Sequence, residues 1–548
     1  MYTEMRGTVL SDGLCIGRIV KLAHREKKDT EQKIRADAVD AECAQFQNVK
    51  NTVRQKLESL MRKADADSDK EQSDILKGYI AILNDPELEN DVVEKIKTDF
   101  DTLQAALART AGEYVDAMSA LEDEYLRARA DDFNELFSML LFCTDPESAE
   151  KTPRLAEPSV LAAYAVTPVD MAELDKTLLL GIVCEKGNRT SHAAIIARAN
   201  GIPMLSNIPY GSTKNGDTVI IEGASLLVDP PDEKIRSYEK KYDELQAEKR
   251  CLQALTEKPA VTLDGTVIEL EANIGSEAEA ENALRERADG IGLFRTEFIL
   301  NENPERVPSE ERQYKIYAAV LKAMRGKPVT IRTFDIGGDK QYPCLPMPKE
   351  ENPFLGWRGI RFCLDNKDFV YTQLRALFRA STEGTLHIMF PMITEEEEVR
   401  RICEIVSEVK SDLDARHIPY GKDVQLGIMI ETPAAALIAE RLAPLVDFFS
   451  IGSNDLTQYT LAADRGNDKI SALYRESHPA VLHLIHNVIA TGEKYGKHVS
   501  VCGEMAGDAS FTKKLLDMGL RCFSMSLANI QKVKRAILSA TIEKYAEE

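Results

Sequence analysis

His192 stands where a chain can most easily hold an anion. Gly187 and Asn188 end a strand expected over 178–184, and an alanine- and isoleucine-rich helix follows to Ala199. Asn200-Gly201 stops that helix, and Ile202-Pro203-Met204-Leu205 resumes a strand. Thr190 is the expected N-cap, which puts His192 in the first turn. There the free backbone N–H groups and the positive helix end favour a negative group such as a phosphoryl. The same dipole disfavours a protonated imidazole, so the ring is expected to stay neutral and nucleophilic near neutral pH. A histidine that merely caps or packs would look the same locally, so the rest of the chain has to decide.

A second group of reactive side chains lies further on. Eight strand-like segments alternate with helices at 267–274, 290–293, 329–334, 386–391, 426–430, 448–451, 499–502 and 522–525. Eight such units predict a (β/α)8 TIM barrel, with an open doubly wound sheet as the alternative. A barrel places its site at the carboxyl ends of its strands. Arg295, Thr296 and Glu297 follow the second strand; Arg332, Asp335 and Lys340 follow the third. Glu431 ends the fifth, Asn454 and Asp455 follow the sixth with Arg465 on the next loop, and Cys502 and Glu504 end the seventh. Arginines converging on one cavity match a doubly anionic phosphate ester, because guanidinium forks bind phosphate and carboxylate oxygens in pairs. Carboxylates from adjacent strands suit Mg²⁺. Taken singly, each arginine reads equally well as a rim salt bridge, and Cys502 as a core thiol.

The elements that must position these groups follow from length and pattern. A chain of 548 residues exceeds one core and predicts about three domains. Charged residues make up 29%, and no apolar run reaches membrane-spanning length, nor does a secretory segment follow Met1. A net charge of −21 argues against nucleic acid. Ten cysteines without paired or zinc-type spacing fit free thiols in a reducing cytoplasm. Short strands open the chain, four or so amphipathic helices run from about 29 to 142, and strands return before Asp229-Pro230-Pro231. The expected layout is a multidomain α/β protein. An α/β domain carrying His192 spans 1–22 and 146–231, a helical bundle is inserted at 23–145, a linker helix spans 232–257, and the barrel spans 258–548.

Several words along the chain carry a resemblance. Arg189 to Arg198 (RTSHAAIIAR) resembles the phosphohistidine signature of the phosphoenolpyruvate-utilising enzymes. Ile331 to Lys340 (IRTFDIGGDK), Glu351 to Arg358 (ENPFLGWR), Asp447 to Gly466 (DFFSIGSNDLTQYTLAADRG) and Cys502 to Asp508 (CGEMAGD) resemble that family's barrel motifs in order. Within the superfamily the chain resembles enzyme I of the sugar phosphotransferase system, almost end to end. The resemblance implies a swivelling α/β phosphohistidine domain with an inserted bundle that docks the phosphocarrier HPr, followed by a barrel that binds phosphoenolpyruvate and forms a homodimer. It implies that His192 accepts the phosphoryl group and that Cys502 protonates C3 of the enolate. Arg295, Arg332, Arg465, Asn454, Asp455, Lys340 and Arg358 would hold the substrate, and Glu431 with Asp455 would ligate Mg²⁺.

The chain departs from the family at three places. Met171 stands in Thr167-Pro168-Val169-Asp170-Met171 where relatives have a threonine that supports the histidine. Asn188 replaces a glycine and is expected to tolerate a left-handed conformation. In the bundle, Tyr79 stands where relatives often have histidine, and residues 131–140 lack the family's arginine, which implies either a carrier other than an ordinary HPr or a rebuilt docking surface. A dikinase or synthase of the superfamily would need a long ATP-binding domain ahead of the histidine, and the nitrogen-branch enzymes an added sensory domain; the sequence leads from Met1 straight into a strand. A regulatory paralogue that binds phosphoenolpyruvate without turnover is the reading from another class.

Overall fold

The computed structural model describes residues 2–22, 33–66, 70–119, 133, 135–141, 143–144, 155–189, 191–301, 306–338, 342–345 and 347–545. These form two compact units, Met1–Ala247 and Glu248–Glu548. Among the described residues no helix is long and apolar enough to cross a membrane.

The first unit is built on an eight-stranded mixed sheet. Its strands are β1 (Thr3–Arg6), β2 (Thr8–Ser11), β3 (Leu14–Lys21), β4 (Ser159–Ala163), β5 (Leu179–Cys184), β6 (Met204–Ser206), β7 (Thr218–Glu222) and β8 (Ser225–Val228), in the order β1-β8-β7-β3-β4-β5-β6-β2. The central run β3-β4-β5-β6 is parallel. Parallel strands are covered on both faces and so read as unbroken apolar runs. β4 illustrates this: Leu161 and Ala163 enter one core and Val160 and Ala162 the other.

Between β3 and β4 lie the long helices α1 (Val39–Ala66), α2 (Lys70–Leu83), α3 (Pro86–Thr98) and α4 (Leu103–Ser119). Their apolar residues recur at helical spacing. Phe46, Val49, Val53 and Leu57 on α1 and Leu88, Val92 and Ile96 on α3 meet in one core. Asp85 caps α3 through the Glu87 N–H at 2.9 Å, and Pro86 occupies the position where a missing N–H costs nothing. Two short helices return to the sheet, α5 (Pro168–Glu173) and α6 (His192–Ala199), and α7 (Asp232–Gln253) carries the chain out of the unit.

The second unit is a closed barrel of eight strands: β9 (Glu269–Ile274), β10 (Gly290–Arg295), β11 (Val329–Arg332), β12 (Leu386–Phe390), β13 (Gln425–Ile430), β14 (Phe448–Ile451), β15 (His498–Val501) and β16 (Cys522–Met525). Each pairs in parallel with its neighbour, and β16 closes onto β9. All eight expected strands are present, and the open sheet is excluded. The ends moved where pattern misleads. Val267 makes an isolated bridge to Val261 and is 66% exposed rather than opening β9. β15 begins one residue early, at His498, because that residue is already in register with Phe448 on β14. Leu293, Met389, Met429, Phe448 and Cys502 pack together inside the barrel. Gly292 is required on β10, since a Cβ there would overlap Ser524 and the Glu271 carboxylate from across the interior.

Candidate active site

His192 is the first residue of α6, and the cap is Ser191, not Thr190, which lies outside the described residues. Ser191 Oγ accepts the Ala194 N–H at 3.4 Å and donates to the Asn188 carbonyl at 2.9 Å, which locks the turn that aims the histidine. Asn188 does not take the left-handed conformation expected of it; the positive φ falls on Gly187. The underside of α6 (Ala193, Ala194, Ile196 and Ala197) packs in a core with Met171, Leu161 and Ile182. Met171 is fully buried there, so the thioether anchors the helix rather than donating to the ring. Ser191→Ala is expected to cost about 1 kcal/mol of this unit's stability, which a thermal melt of the variant would read.

Tyr79 sits beside the histidine ring, edge-on at 6.5 Å between centroids. Its side chain is 1% exposed and its hydroxyl donates to the Glu135 carboxylate. A tyrosine so buried forms no part of an exposed docking surface, which corrects the reading of this position. Of the segment 131–140, residues 133 and 135–140 are described, and Phe133, Leu136, Phe137, Met139 and Leu140 are buried in the bundle core.

In the second unit the barrel's carboxyl end holds a cavity of about 220 Å³. Arg295, Arg332, Arg358, Glu431, Asn454, Asp455, Arg465 and Cys502 all line it, and Asp335, Glu504 and Met429 join them. Lys340 lies outside the described residues. Each group is placed by its strand. Arg295 and Arg332 are the last residues of β10 and β11, Glu431 follows β13, and Cys502 follows β15 with its N–H on the Ile451 carbonyl at 3.0 Å. Asn454 and Asp455 occupy the first turn of helix Ser453–Leu461 after β14.

A buried ionic lattice underlies the cavity. Arg332 Nη2 donates to Glu297 Oε1 at 2.9 Å, and Nη1 stands 3.5 Å from Asp335 Oδ2. Arg358 Nη2 reaches Asp335 at 2.8 Å and Asp455 at 3.1 Å. The Asp335 N–H bonds Glu297 Oε1 at 2.8 Å. Burial opposes ionisation of both guanidiniums, but the surrounding carboxylates hold them firmly charged. Arg295 differs: it is exposed and has no ion pair among the described residues. Arg465 is half-exposed and 3.5 Å from Asp455 Oδ1.

Within this lattice, Glu297 Oε2, Arg332 Nε and Asp455 Oδ1 are buried without a hydrogen bond among the described residues. Asp455 Oδ1 therefore has only the long approach of Arg465. Glu431 accepts the Met392 N–H at 2.6 Å, and Met392 is held at φ 63° to offer it. Strain of that kind on a residue with a side chain marks a position fixed by its surroundings. Burial first, then Asp455 and Asp335, push Glu431 well up from the ordinary carboxylate range. The four arginines of the lining face Asp335, Glu431, Asp455 and Glu504, with Glu431 held toward its protonated form. A cation bound beside Glu431 and Asp455 would favour the ionised carboxylate and offset the charge of a multiply anionic ligand. The crowded Glu431 and Asp455 carboxylates are the donors that fit a divalent metal.

Cys502 is 3% exposed, and burial pushes its thiol up to about 11. It is thus held protonated at the base of a cavity lined with arginines. Sequence reading passed over Met392, a backbone donor, and Tyr459, whose hydroxyl accepts from Arg358 at 3.0 Å and donates to the Phe354 carbonyl. It noted Glu297 and Asp335 as strand-end polar residues but gave them no part in the site. Their order in the chain after Arg295 and Arg332 was the available signal.

Comparison with known proteins agrees with this arrangement. Residues 6–129 match the model of the PEP-utilising enzyme N-terminal region, 155–225 that of the mobile domain, and 249–542 that of the PEP-binding domain. The chain is 38% identical to the phosphoenolpyruvate-protein phosphotransferase of Haemophilus influenzae, covering 98% of this chain and 94% of that protein. The protein of the same name from Priestia megaterium is also 38% identical, covering 100% and 96%, and that of Bacillus subtilis 38%, covering 97% and 94%. A solution structure of an enzyme I protein (nEIt) aligns with 44% of this chain and 99% of its own, at 27% identity and a TM-score of 0.39. Nothing among these favours a non-catalytic paralogue. The chain therefore belongs to the phosphoenolpyruvate-utilising enzymes, and within them to the family of phosphoenolpyruvate-protein phosphotransferases.

Proposed function

We infer that the chain transfers the phosphoryl group of phosphoenolpyruvate to His192, releases pyruvate, and passes the group to a histidine of an HPr-type carrier, the first step of sugar uptake by the phosphotransferase system. The observation that carries this reading is the arginine-lined cavity with a protonated thiol at its base. Arg295, free and at the mouth, takes the phosphoryl oxygens, with Arg332 deeper. Arg465, Asn454 and Arg358 orient the carboxylate and enol oxygens, and Lys340 is assigned to the same task by its motif. As the P–O bond to C2 breaks and a P–N bond to the Nε2 of His192 forms, negative charge develops on the enolate oxygen and is stabilised by the guanidiniums. The Cys502 thiol then gives its proton to C3, and the thiolate regains one from solvent. We assign Mg²⁺ to Glu431 and Asp455; when bound it supplies an electrophilic centre for the phosphoryl and enolate oxygens.

The transfer requires Nε2 to meet the substrate phosphorus in line, and afterwards to meet the carrier. The unit that carries His192 must therefore serve two partners in turn. The inserted bundle is assigned to carrier docking. Pairing of two barrels is supported by large apolar residues left exposed on short helical turns beyond the strand ends, among them Phe298, Leu355, Leu437 and Leu473.

Labelled phosphoenolpyruvate with Mg²⁺ tests the reading. The intact chain is expected to acquire an acid-labile, base-stable label, and His192→Ala none. Label that persists in the variant, or is absent from the intact chain, removes the proposal.

A further inference from the structure

The opposite end of the barrel holds a second cluster. β9, β15 and β16 are adjacent at the seam where the barrel closes, and they begin with Glu269, His498 and Cys522. Cys522 is in register with Glu269 on one side and Ser500 on the other. One ligand atom from each of Glu269, His498 and Cys522 lies within 4.8 Å of the others. The His498 Nε2 is 3.0 Å from Glu269 Oε2. Directly inside lies Glu271, two residues along β9 and only 7% exposed, in hydrogen-bond contact with the Cys522 thiol.

The charge at this point does not balance. The groups acting on the buried Glu271 carboxylate are His498, a single imidazole, against the carboxylates of Glu269 and Asp289. His387 adds a neutral ring on the neighbouring interior face, packed 5.6 Å from Phe448. No arginine or lysine pairs with Glu269 or Glu271 among the described residues. The active cavity answers each carboxylate with a guanidinium; this end does not.

We propose that Glu269, His498 and Cys522, backed by the buried Glu271 carboxylate, form a binding site for a soft divalent cation such as Zn²⁺, which staples the first barrel strand to the last two. The donor set is the one this ion selects: a thiolate, an imidazole and a carboxylate, with Cys522 buried and Glu269 and His498 open to solvent. Ligand atoms 2.0–2.3 Å from a tetrahedral ion stand about 3.3–3.8 Å apart, so side-chain rotations of roughly 1 Å close the set. Binding forms a metal–sulfur bond and breaks the S–H bond of Cys522, whose proton leaves to solvent. The site is separate from the carboxylate pair at the strand ends, where oxygen ligands suit Mg²⁺ instead.

Cobalt(II) reports a thiolate ligand by its near-ultraviolet charge-transfer band. The full chain, freed of metal by a chelator and held in excess Mg²⁺ to occupy oxygen sites, is titrated with Co²⁺. The expected result is one equivalent bound with the thiolate band and a rise in melting temperature. Cys522→Ser and His498→Ala lose the band, while Cys363→Ser, a buried thiol elsewhere in the barrel, keeps it. A titration of the intact chain without a thiolate band overturns the proposal and needs no variant. So does a band unchanged in Cys522→Ser, which would place the ion on another cysteine.

Discussion

Cys502→Ala lowers steady-state pyruvate release roughly 10²- to 10⁴-fold, the loss expected when a general acid is removed, while phosphoenolpyruvate still binds. The argument is geometric and electrostatic. The thiol lies at the base of the cavity, 3% exposed, and its Sγ is 3.6 Å from the Ile451 carbonyl. Burial is the largest influence on it and favours the neutral form, while Arg332 and Arg295 pull the other way. Burial pushes the folded thiol up from its ordinary 9.0 to about 11, so it remains a proton donor as pH rises. The intact enzyme should therefore show no loss of pyruvate release from thiol ionisation until the pH approaches that value. An alkaline limb attributable to Cys502 near pH 8 would contradict this, as would an alanine variant that turns over normally. Quantifying pyruvate and His192 label in the same samples separates failed protonation from failed phosphoryl transfer.

Arg332→Met is expected to remove both substrate binding and a large part of the barrel's stability. Its guanidinium is buried and faces Glu297 and Asp335, while a third carboxylate, Glu431, raises its affinity for the proton further. Removing one partner of a buried pair leaves uncompensated charge and costs about 3–5 kcal/mol. The loss is carried by Glu297 Oε1, which would keep only the Asp335 N–H. Arg295→Met supplies the contrast. That arginine has no ion pair to lose, so stability should change by no more than about 0.5 kcal/mol, whereas phosphoenolpyruvate affinity falls by the worth of a charged hydrogen bond, about 1.5–3 kcal/mol. Chemical denaturation and ligand titration of the two variants distinguish the roles. An Arg332→Met protein that unfolds like the parent would show that the lattice is not held by this side chain.

Much of the barrel and its site was legible because both follow a local rule. Strands such as Phe448–Ile451 are short apolar runs between helices, and the residues that follow them (Glu431, Asn454, Asp455, Cys502) end up at one rim whatever the details of packing. What escaped depends on closure in three dimensions. Met392 acts through its backbone N–H, which no residue type announces. His498 had no part in the expected strand 499–502, and only the closed order β15-β16-β9 brings it to Glu269. Tyr79 was tied to the docking surface only by the position it shares with a histidine of relatives, yet its side chain is buried. The cap of α6 slipped by one residue because threonine and serine are adjacent and chemically equivalent there.

The hydrogen-bonded partnership of β3 and β4 has a consequence for how the chain folds. The two strands are nearest neighbours in the sheet, but the whole bundle separates Lys21 from Ser159. Joining them from an open chain costs about 4 kcal/mol of loop-closure entropy beyond a constant. Helix pairs α1–α2 and α3–α4 are local in sequence and need no such closure. Once they collapse, the loop that the sheet must close is short in space though not in sequence. The bundle thus serves as the scaffold on which the phosphoryl-bearing sheet assembles. A lesion deep in its core, at Leu57 or Leu107 for example, would delay the formation of a histidine site it never touches.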